Sequence, residues 1–346
     1  MRRMRTFACL IPLVACLAGL SFAKTRHASH PPMRPLPEPS DIPAGKNPTF
    51  YVDSSRGNDA NPGTKAKPWK SINHGLRRLK PGDALHLRGG TYYENVVIPV
   101  SGTEEAEIVI RSHPGELATI DAGLREFHDS PEDSWKPFER GAKGEFVSTR
   151  TYPQFNGRPI VHAFPAAGWE PFFGKEDVRA VALGHFADSM VPLHGYRQVE
   201  DLRDDSMLWD VSSKFDKASG VYCGPGLWFN RKTERIHVRL AHTTLAGLDD
   251  RHYRGETDPR KLALSVSGPY GADALRINGV SNVVLRDIEV RGASGSPLVN
   301  LYGSENVTLD GLTLHGGSPG LLAKASSKVR IVNCAFRGLA APWSSR

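Results

Sequence analysis

At 346 residues, 39% hydrophobic and 23% charged, the chain has room for one large repeat array or two ordinary domains, and its composition excludes a disordered polymer. The formal charge is +7, or +4 (7 − 3) without Arg2, Arg3 and Arg5. That excess is too mild to argue for a nucleic-acid partner and is compatible with an acidic polysaccharide.

Residues 1–23 read as a signal peptide. Three arginines precede an apolar run from Phe7 to Phe22, and Ser21-Phe22-Ala23 is an acceptable cleavage site. The run is short for a membrane span, so the mature chain is expected to carry no transmembrane segment and to be secreted or periplasmic. The alternative is a lipid anchor through Cys16, in Leu13-Val14-Ala15-Cys16. Residues 24–48, rich in Pro, His and Ser, are expected to form an extended, unpacked linker.

From Thr49 the pattern changes. Phe50-Tyr51-Val52-Asp53 is a strand, Ser54 to Thr64 is turn chemistry, and Pro68-Trp69 opens a short helix with Ile72, Leu76 and Leu79 on one face. Further strand-like runs end at Thr119-Ile120-Asp121. The elements Tyr51-Val52, Gly57 with Asp59, Pro62-Gly63-Thr64, Pro81-Gly82-Asp83, Arg88-Gly89-Gly90-Thr91-Tyr92, Ser101-Gly102-Thr103 and Pro114-Gly115-Glu116 recur in a known arrangement. Over residues 49–123 the chain resembles the N-terminal cap and first coils of secreted β-helix proteins of the pectate-lyase-like superfamily. The resemblance implies a helix lying over the first coil. It leaves the reaction open, because the same opening precedes lyases, glycosidases and proteins of unknown activity.

Residues 124–262 show no such rhythm. They carry Trp135, Phe138, Phe164, Trp169, Phe172, Phe173, Trp209, Tyr222 and Trp228, aromatics that either stack on sugar rings or, more simply, form a small core. Leu227 to Leu240 reads as a hairpin, with Ile236, Val238 and Leu240 alternating. The segment is expected to be a β-rich insertion between coils. Cap, coil, insertion with hairpin, then more coils is an order similar to that of β-helix glycosidases of the β-xylosidase type.

Residues 263–346 hold a repeat. Val283, Val307 and Val329 align at spacings of 24 and 22 residues, and further columns agree: Leu275, Val299, Leu321; Leu285, Leu309, Ile331; Val290, Leu314, Phe336; Gly292, Gly316, Gly338. Alternating apolar positions at this period predict short parallel strands, one turn of chain per repeat, stacking their apolar faces. The expected fold is all-β: a right-handed parallel β-helix, or solenoid, with a short N-terminal capping helix and an inserted β-rich domain. No closing cap is visible before Arg346, so the coils read as truncated: a fragment, a prematurely ended frame, or an array capped by a partner.

Cys9 and Cys16 fall in the signal segment. Cys334 stands in an apolar column and reads as a buried thiol, with pairing to Cys223 the alternative.

Outward positions on stacked coils lie about 4.8 Å apart and form ladders suited to a linear polymer. One outward column is Arg291, His315, Arg337; others hold Glu289 and Asp310. These five are the candidate catalytic residues. In a lyase, whose substrate is an acidic sugar chain, a basic side chain abstracts the proton beside a uronate; in a glycosidase two carboxyl groups flank the scissile bond, and Glu289 with Asp310 are the pair on offer. Arg276, Asn300, Tyr302 and Lys324, outward on the preceding strands, are the candidate substrate-binding residues. The resemblance implies a calcium site on clustered acids, but Asp287 aligns with Gly311 and Asn333 and reads as a turn position, so no metal or other cofactor is expected. The partner is a polysaccharide and the chain a monomer. A solvated polar face, as in a non-catalytic adhesin, a sugar-binding module or an inactive relative, is the competing reading.

Overall fold

The computed structural model describes residues 37–155, 184–196, 198–204, 222, 224–242, 253–268, 273–293, 297–317 and 319–338. The signal segment with Cys9 and Cys16, together with Cys223, Phe164, Trp169, Phe172, Phe173 and Trp209, lies outside the described residues. No helix among the described residues is long and apolar enough to cross a membrane.

The described residues are mostly β, with few and short helices and extensive parallel sheet. The first part contributes β1 (Thr49–Val52), β2 (Ala84–Leu87), β3 (Gly90–Tyr92), β4 (Val96–Val97), β5 (Ile108–Ser112) and β6 (Ala118–Asp121). The middle contributes β7 (Trp135–Pro137), β8 (Glu145–Ser148), β9 (Gly184–Phe186), β10 (His194–Tyr196), β11 (Gly226–Asn230), β12 (Arg235–Arg239) and β13 (Leu264–Val266). The last part runs β14 (Leu275–Asn278), β15 (Ser281–Arg286), β16 (Ile288–Arg291), β17 (Val299–Tyr302), β18 (Glu305–Asp310), β19 (Thr313–His315), β20 (Leu321–Lys324), β21 (Ser327–Val332) and β22 (Ala335–Arg337).

Three sheets are filled in rotation. The first holds β1-β2-β5-β15-β18-β21, the second β3-β6-β16-β19-β22 and the third β4-β14-β17-β20, and all their pairings are parallel. Register follows the apolar columns: Phe50, Leu85, Ile110, Leu285, Leu309 and Ile331 stand opposite one another in turn. The rung made by β4, β5 and β6 therefore lies directly against the rung of β14, β15 and β16, although the chain from 122 to 274 comes between them. The side chains pointing inward from all three sheets form one continuous apolar cluster, including Leu85, Ile110, Ile120, Leu285, Val290 and Leu309. Each such residue contributes roughly 1.5–3 kcal/mol by leaving water.

Turn chemistry sets where the chain bends between sheets. Asn282, Asn306 and Lys328 form one left-handed column, and Asp287, Gly311 and Asn333 another, with φ between 51° and 69°. Gly, Asn and Asp carry that backbone at least cost. The amides also help: Asn306 Nδ2 donates to Asn282 Oδ1 at 2.8 Å.

The first rung is closed by the loop before helix α1 (Ile72–Leu76). β1 is an edge strand, and the loop supplies its missing partners: Tyr51 N donates to the Gly63 carbonyl at 2.8 Å and Trp69 N to the Tyr51 carbonyl at 3.0 Å. Gly57 is required there, since a Cβ would lie 1.9 Å from the Trp69 carbonyl oxygen. The α1 residues Ile72 and Leu76 are buried in the main cluster.

The described residues before β1 have no regular structure and are mostly exposed, but they touch the first sheet at one place: Arg111, on its outer face, donates to the carbonyls of Ile42 at 2.8 Å and Pro43 at 3.1 Å. A buried guanidinium needs acceptors, and this segment provides them. Cys334 is a free thiol, half-buried, with Sγ 3.3 Å from the Val332 carbonyl.

The middle strands build a second core. Their sheet runs β10-β11-β12-β8-β7, and the β11–β12 hairpin is antiparallel with Leu227 opposite Val238. Phe127, Trp135, Phe186, Phe229 and Tyr253 fill this core, so Trp135 is a packing residue.

Leu285→Ala removes a wholly buried side chain between two buried neighbours and is expected to cost about 3 kcal/mol in urea unfolding, whereas Ile331→Ala, 44% exposed on the last described rung, costs less than about 1 kcal/mol. Equal losses at the two positions contradict the register.

Candidate functional site

The outer face of the second sheet carries a row of charged and polar groups. Arg291 pairs in register with Asp121, and His315 with Arg337. In the adjoining column, Glu289 stands between Thr119 and Thr313. Arg291 Nε donates to Asp121 Oδ2 at 2.7 Å, and Arg291 Nη1 lies 3.7 Å from Glu289 Oε1. Glu289 also receives the Thr119 hydroxyl at 2.6 Å and has His315 Nε2 3.3 Å from Oε1. One guanidinium thus sits between two carboxylates, with an imidazole on the far side of one of them. Gly292 makes room for this: a Cβ there would fall 2.1 Å from Asp121 Oδ1.

The row points outward yet is buried. Asp121 and His315 are 1% exposed, Glu289 4% and Arg291 5%. The cover comes from β9, β13 and the turn after β9: Met190 Sδ is 3.7 Å from Arg291 Nη1, and Ser265 Oγ is 3.4 Å from Asp121 Oδ2. This corrects the picture of Arg291 and His315 as an open basic groove. The rungs tolerate stacked cations here because Asp121 and Glu289 neutralise them.

Proton affinities follow the same geometry. Burial disfavours the charge on Arg291, but Asp121 and Glu289 outweigh it and raise its pKa, so it stays charged. His185, buried beside this cluster, is pushed down to about 4 by desolvation and by the Arg291 charge. Tyr93, next along the same face, is raised by burial and by the charges of Asp121 and Asp129 and stays protonated.

The other sequence candidates lie elsewhere. Asp310 is on the first sheet, held by Arg286 Nε at 3.0 Å and Asn333 Nδ2 at 2.9 Å. It therefore does not share a face with Glu289, and the Glu289–Asp310 pairing is corrected. Arg276, Asn300, Tyr302 and Lys324 occupy the third sheet. Arg276 and Asn300 both bind Asp273, at 3.2 and 2.9 Å, while Tyr302 is 52% exposed. Asp287 sits at a left-handed corner and faces Arg111 at 3.3 Å. Among the described residues no group of three or more His, Cys, Asp or Glu could hold a metal ion.

Reading the sequence missed Asp121 and His185. Asp121 was legible in principle, since Ile120 continues the inward column Val290, Leu314, Phe336 backwards. It also missed Glu145, a fully buried carboxylate in the second core. Burial raises the pKa of Glu145, but His237 Nδ1 at 2.7 Å and Arg203 Nε at 2.8 Å outweigh this and take it down to about 2. Its lone pairs are occupied, which suits an anchor for that sheet.

No family model matches the chain. It is 34% identical over 76 residues to an uncharacterised protein, YwoF, of Bacillus subtilis (strain 168), covering 22% of this chain and 16% of that protein. It is 37% identical over 86 residues to pectate lyase PEL9 of Emericella nidulans, covering 24% and 20%. The chain thus spans no more than about a fifth of the length of these curated relatives. Among solved structures it is similar to XylC in complex with xylose, at a TM-score of 0.44 and 11% identity over 83% of this chain and 54% of that one.

Arg291→Met strands two buried carboxylates and is expected to cost about 3–5 kcal/mol by chemical denaturation; a loss under about 1 kcal/mol contradicts the described ion pairs. His185 makes stability fall in acid. Unfolded, it takes up a proton near 6.5; folded, only near 4. The unfolded state therefore binds more protons between those values. Stability is full above about pH 6.5 and falls towards pH 4, by on the order of 3 kcal/mol from this group. His185→Asn should flatten the slope in that window, and an unchanged slope assigns it to other groups.

Proposed function

We propose that this chain is an exported, carbohydrate-active protein that works on a polysaccharide, built as a right-handed parallel β-helix with residues 124–262 inserted between coils. Three parallel sheets filled in rotation support that fold. The Arg-flanked apolar start supports export, and the 86-residue likeness to a pectate lyase supports the carbohydrate class. The single observation that carries the functional reading is the pair Asp121 and Glu289 bracketing Arg291 on the outer face of the second sheet. Glycoside hydrolysis uses two carboxyl groups, one protonating the leaving oxygen and the other acting as nucleophile or base, and Asp121 and Glu289 both contact the one Arg291 guanidinium.

This arrangement favours hydrolysis over β-elimination. Elimination needs a base, and Arg291 is held charged by two carboxylates. Of the residues singled out in the sequence, Glu289, Arg291, His315 and Arg337 belong to the proposed site, and Asp310 does not. Met190 covers Arg291 beside the pair, and its backbone is held at φ 53°, an uncommon value for methionine. A second reading, a non-catalytic sugar-binding coil, is favoured by the burial of Asp121 and Glu289.

Pectin, alginate and xylan incubated with the full chain separate these readings. Hydrolysis gives new reducing ends without ultraviolet-absorbing unsaturated sugars, and Glu289→Gln lowers the rate per folded molecule at least about 100-fold, together with a fall in melting temperature because buried Arg291 keeps only Asp121 as counter-charge. Unsaturated products contradict the hydrolase assignment. Polysaccharide binding with no product of either kind supports the second reading.

A further inference from the structure

β3 is the terminal strand of the second sheet, and beyond its edge lies a cleft of about 520 Å³. The loop after β1 and the start of α1 form one wall; Tyr93, Arg125 and Asp129 form the other. The lining includes the hydroxyls of Ser54, Ser55, Ser71, Thr91 and Tyr93.

Three carboxylates border this space, and each is already committed to donors from the protein. Asp59 accepts from Lys70 N at 2.8 Å, Ser71 N at 2.9 Å and Ser71 Oγ at 2.7 Å. Glu94 caps α1 from outside, accepting from Ile72 N at 2.8 Å and Asn73 N at 3.1 Å. Asp129 takes Arg125 Nε at 2.6 Å and the Tyr93 hydroxyl at 3.2 Å. The guanidinium of Arg125 also lies 5.6 Å from the Tyr93 ring centroid. Lys70 and Arg125 are the cations of the lining, against three acids.

That balance selects the ligand. Arg125 and Asp129 neutralise each other, which leaves Asp59 and Glu94 against Lys70; a uronate entering the cleft would meet a net negative lining, and like charges at short range oppose it. Neutral sugar hydroxyls both donate and accept, so they can use the spare lone pairs of these carboxylates and the five hydroxyls together. The cleft also lies on the face that carries the carboxylate pair. Thr91 stands opposite Thr119, and Thr119 opposite Glu289, two strand spacings or about 10 Å away. A chain of sugars seated in the cleft would run towards Glu289.

We propose that the cleft beside β3 is a binding subsite for a neutral, hydroxyl-rich glycosyl unit and discriminates against uronates. This rests on the reading of the second sheet's outer face as a polysaccharide site, and it narrows the substrate class to neutral glycans.

The test is calorimetric binding to the full chain of neutral xylo-, manno-, cello- and galacto-oligosaccharides, against oligogalacturonate and oligoguluronate at equal length. Expected is measurable binding of at least one neutral series, with both uronates at least tenfold weaker. Tyr93→Ala removes part of the wall. Thr91→Trp fills the cleft from a strand position that accepts an aromatic residue, without removing a contact named above. Both should weaken neutral binding at least tenfold with melting temperature retained. Tighter binding of a uronate, or unchanged neutral binding in Thr91→Trp, overturns the proposal. If the wild type cleaves a polysaccharide and Thr91→Trp leaves KM unchanged, the cleft proposal falls while the polysaccharide reading stands. If no oligosaccharide binds and no polymer is cleaved or bound, both fall.

Discussion

The structure depends on one register. Parallel strands fix which side chain sits on which, and a slip by one residue would turn every apolar column outwards. The constraint is sharpest between β5 and β15, where Ile110 meets Leu285 after a long excursion of the chain. Were that rung to mispair, Ile108 and Ile110 below and Val283 and Leu285 above would lose their partners together. The last described rung shows what such a layer looks like with nothing beyond it among the described residues: Ile331 and Phe336 are exposed although they occupy the same columns.

The same junction explains the outer face. Where the chain leaves the three parallel sheets after β6 and rejoins them before β14, the segment around β9 and β13 lies back over the second sheet. Charges that would face water on an uncovered rung, Asp121, Glu289 and Arg291, are there removed from it. Removing ions from water is costly unless each finds a counter-charge, and Asp121 and Glu289 together supply it to Arg291. One arrangement thus ties the second core to the coil and holds carboxylates in a fixed, dry setting of the kind acid–base chemistry exploits. The cleft at the end of the row is lined by hydroxyl-bearing residues as well as by carboxylates.

Much of the parallel strand stacking was legible. The columns through Val283, Leu285 and Val290 carry a period-2 apolar signal that repeats at nearly constant spacing, and the corner column Asp287, Gly311, Asn333 betrays its left-handed backbone by residue type. The hairpin from Leu227 to Leu240 announced itself by alternation around a polar turn. What stayed hidden was distance in sequence. Asp121 and Arg291 are neighbours only because β6 and β16 pair across the excursion, and the repeat was read among its last three copies alone. The cover over the row was invisible for a different reason: the residues around Met190 and Ser265 have no period, so nothing marked them as partners of the coil. Composition was silent on Ile42 and Pro43, exposed residues whose carbonyls serve a buried Arg111.

The central claim is that Ile110, Leu285 and Leu309 are successive layers of one stack. Methyl-labelled NOE spectroscopy tests it most directly. The account predicts cross-peaks between Ile110 and Leu285 and between Leu285 and Leu309, with none directly between Ile110 and Leu309, which are two strand spacings or about 10 Å apart. An absent Ile110–Leu285 cross-peak, with the Leu285–Leu309 peak present, would mean that the first coils and the last do not stack on one another, and would contradict the account.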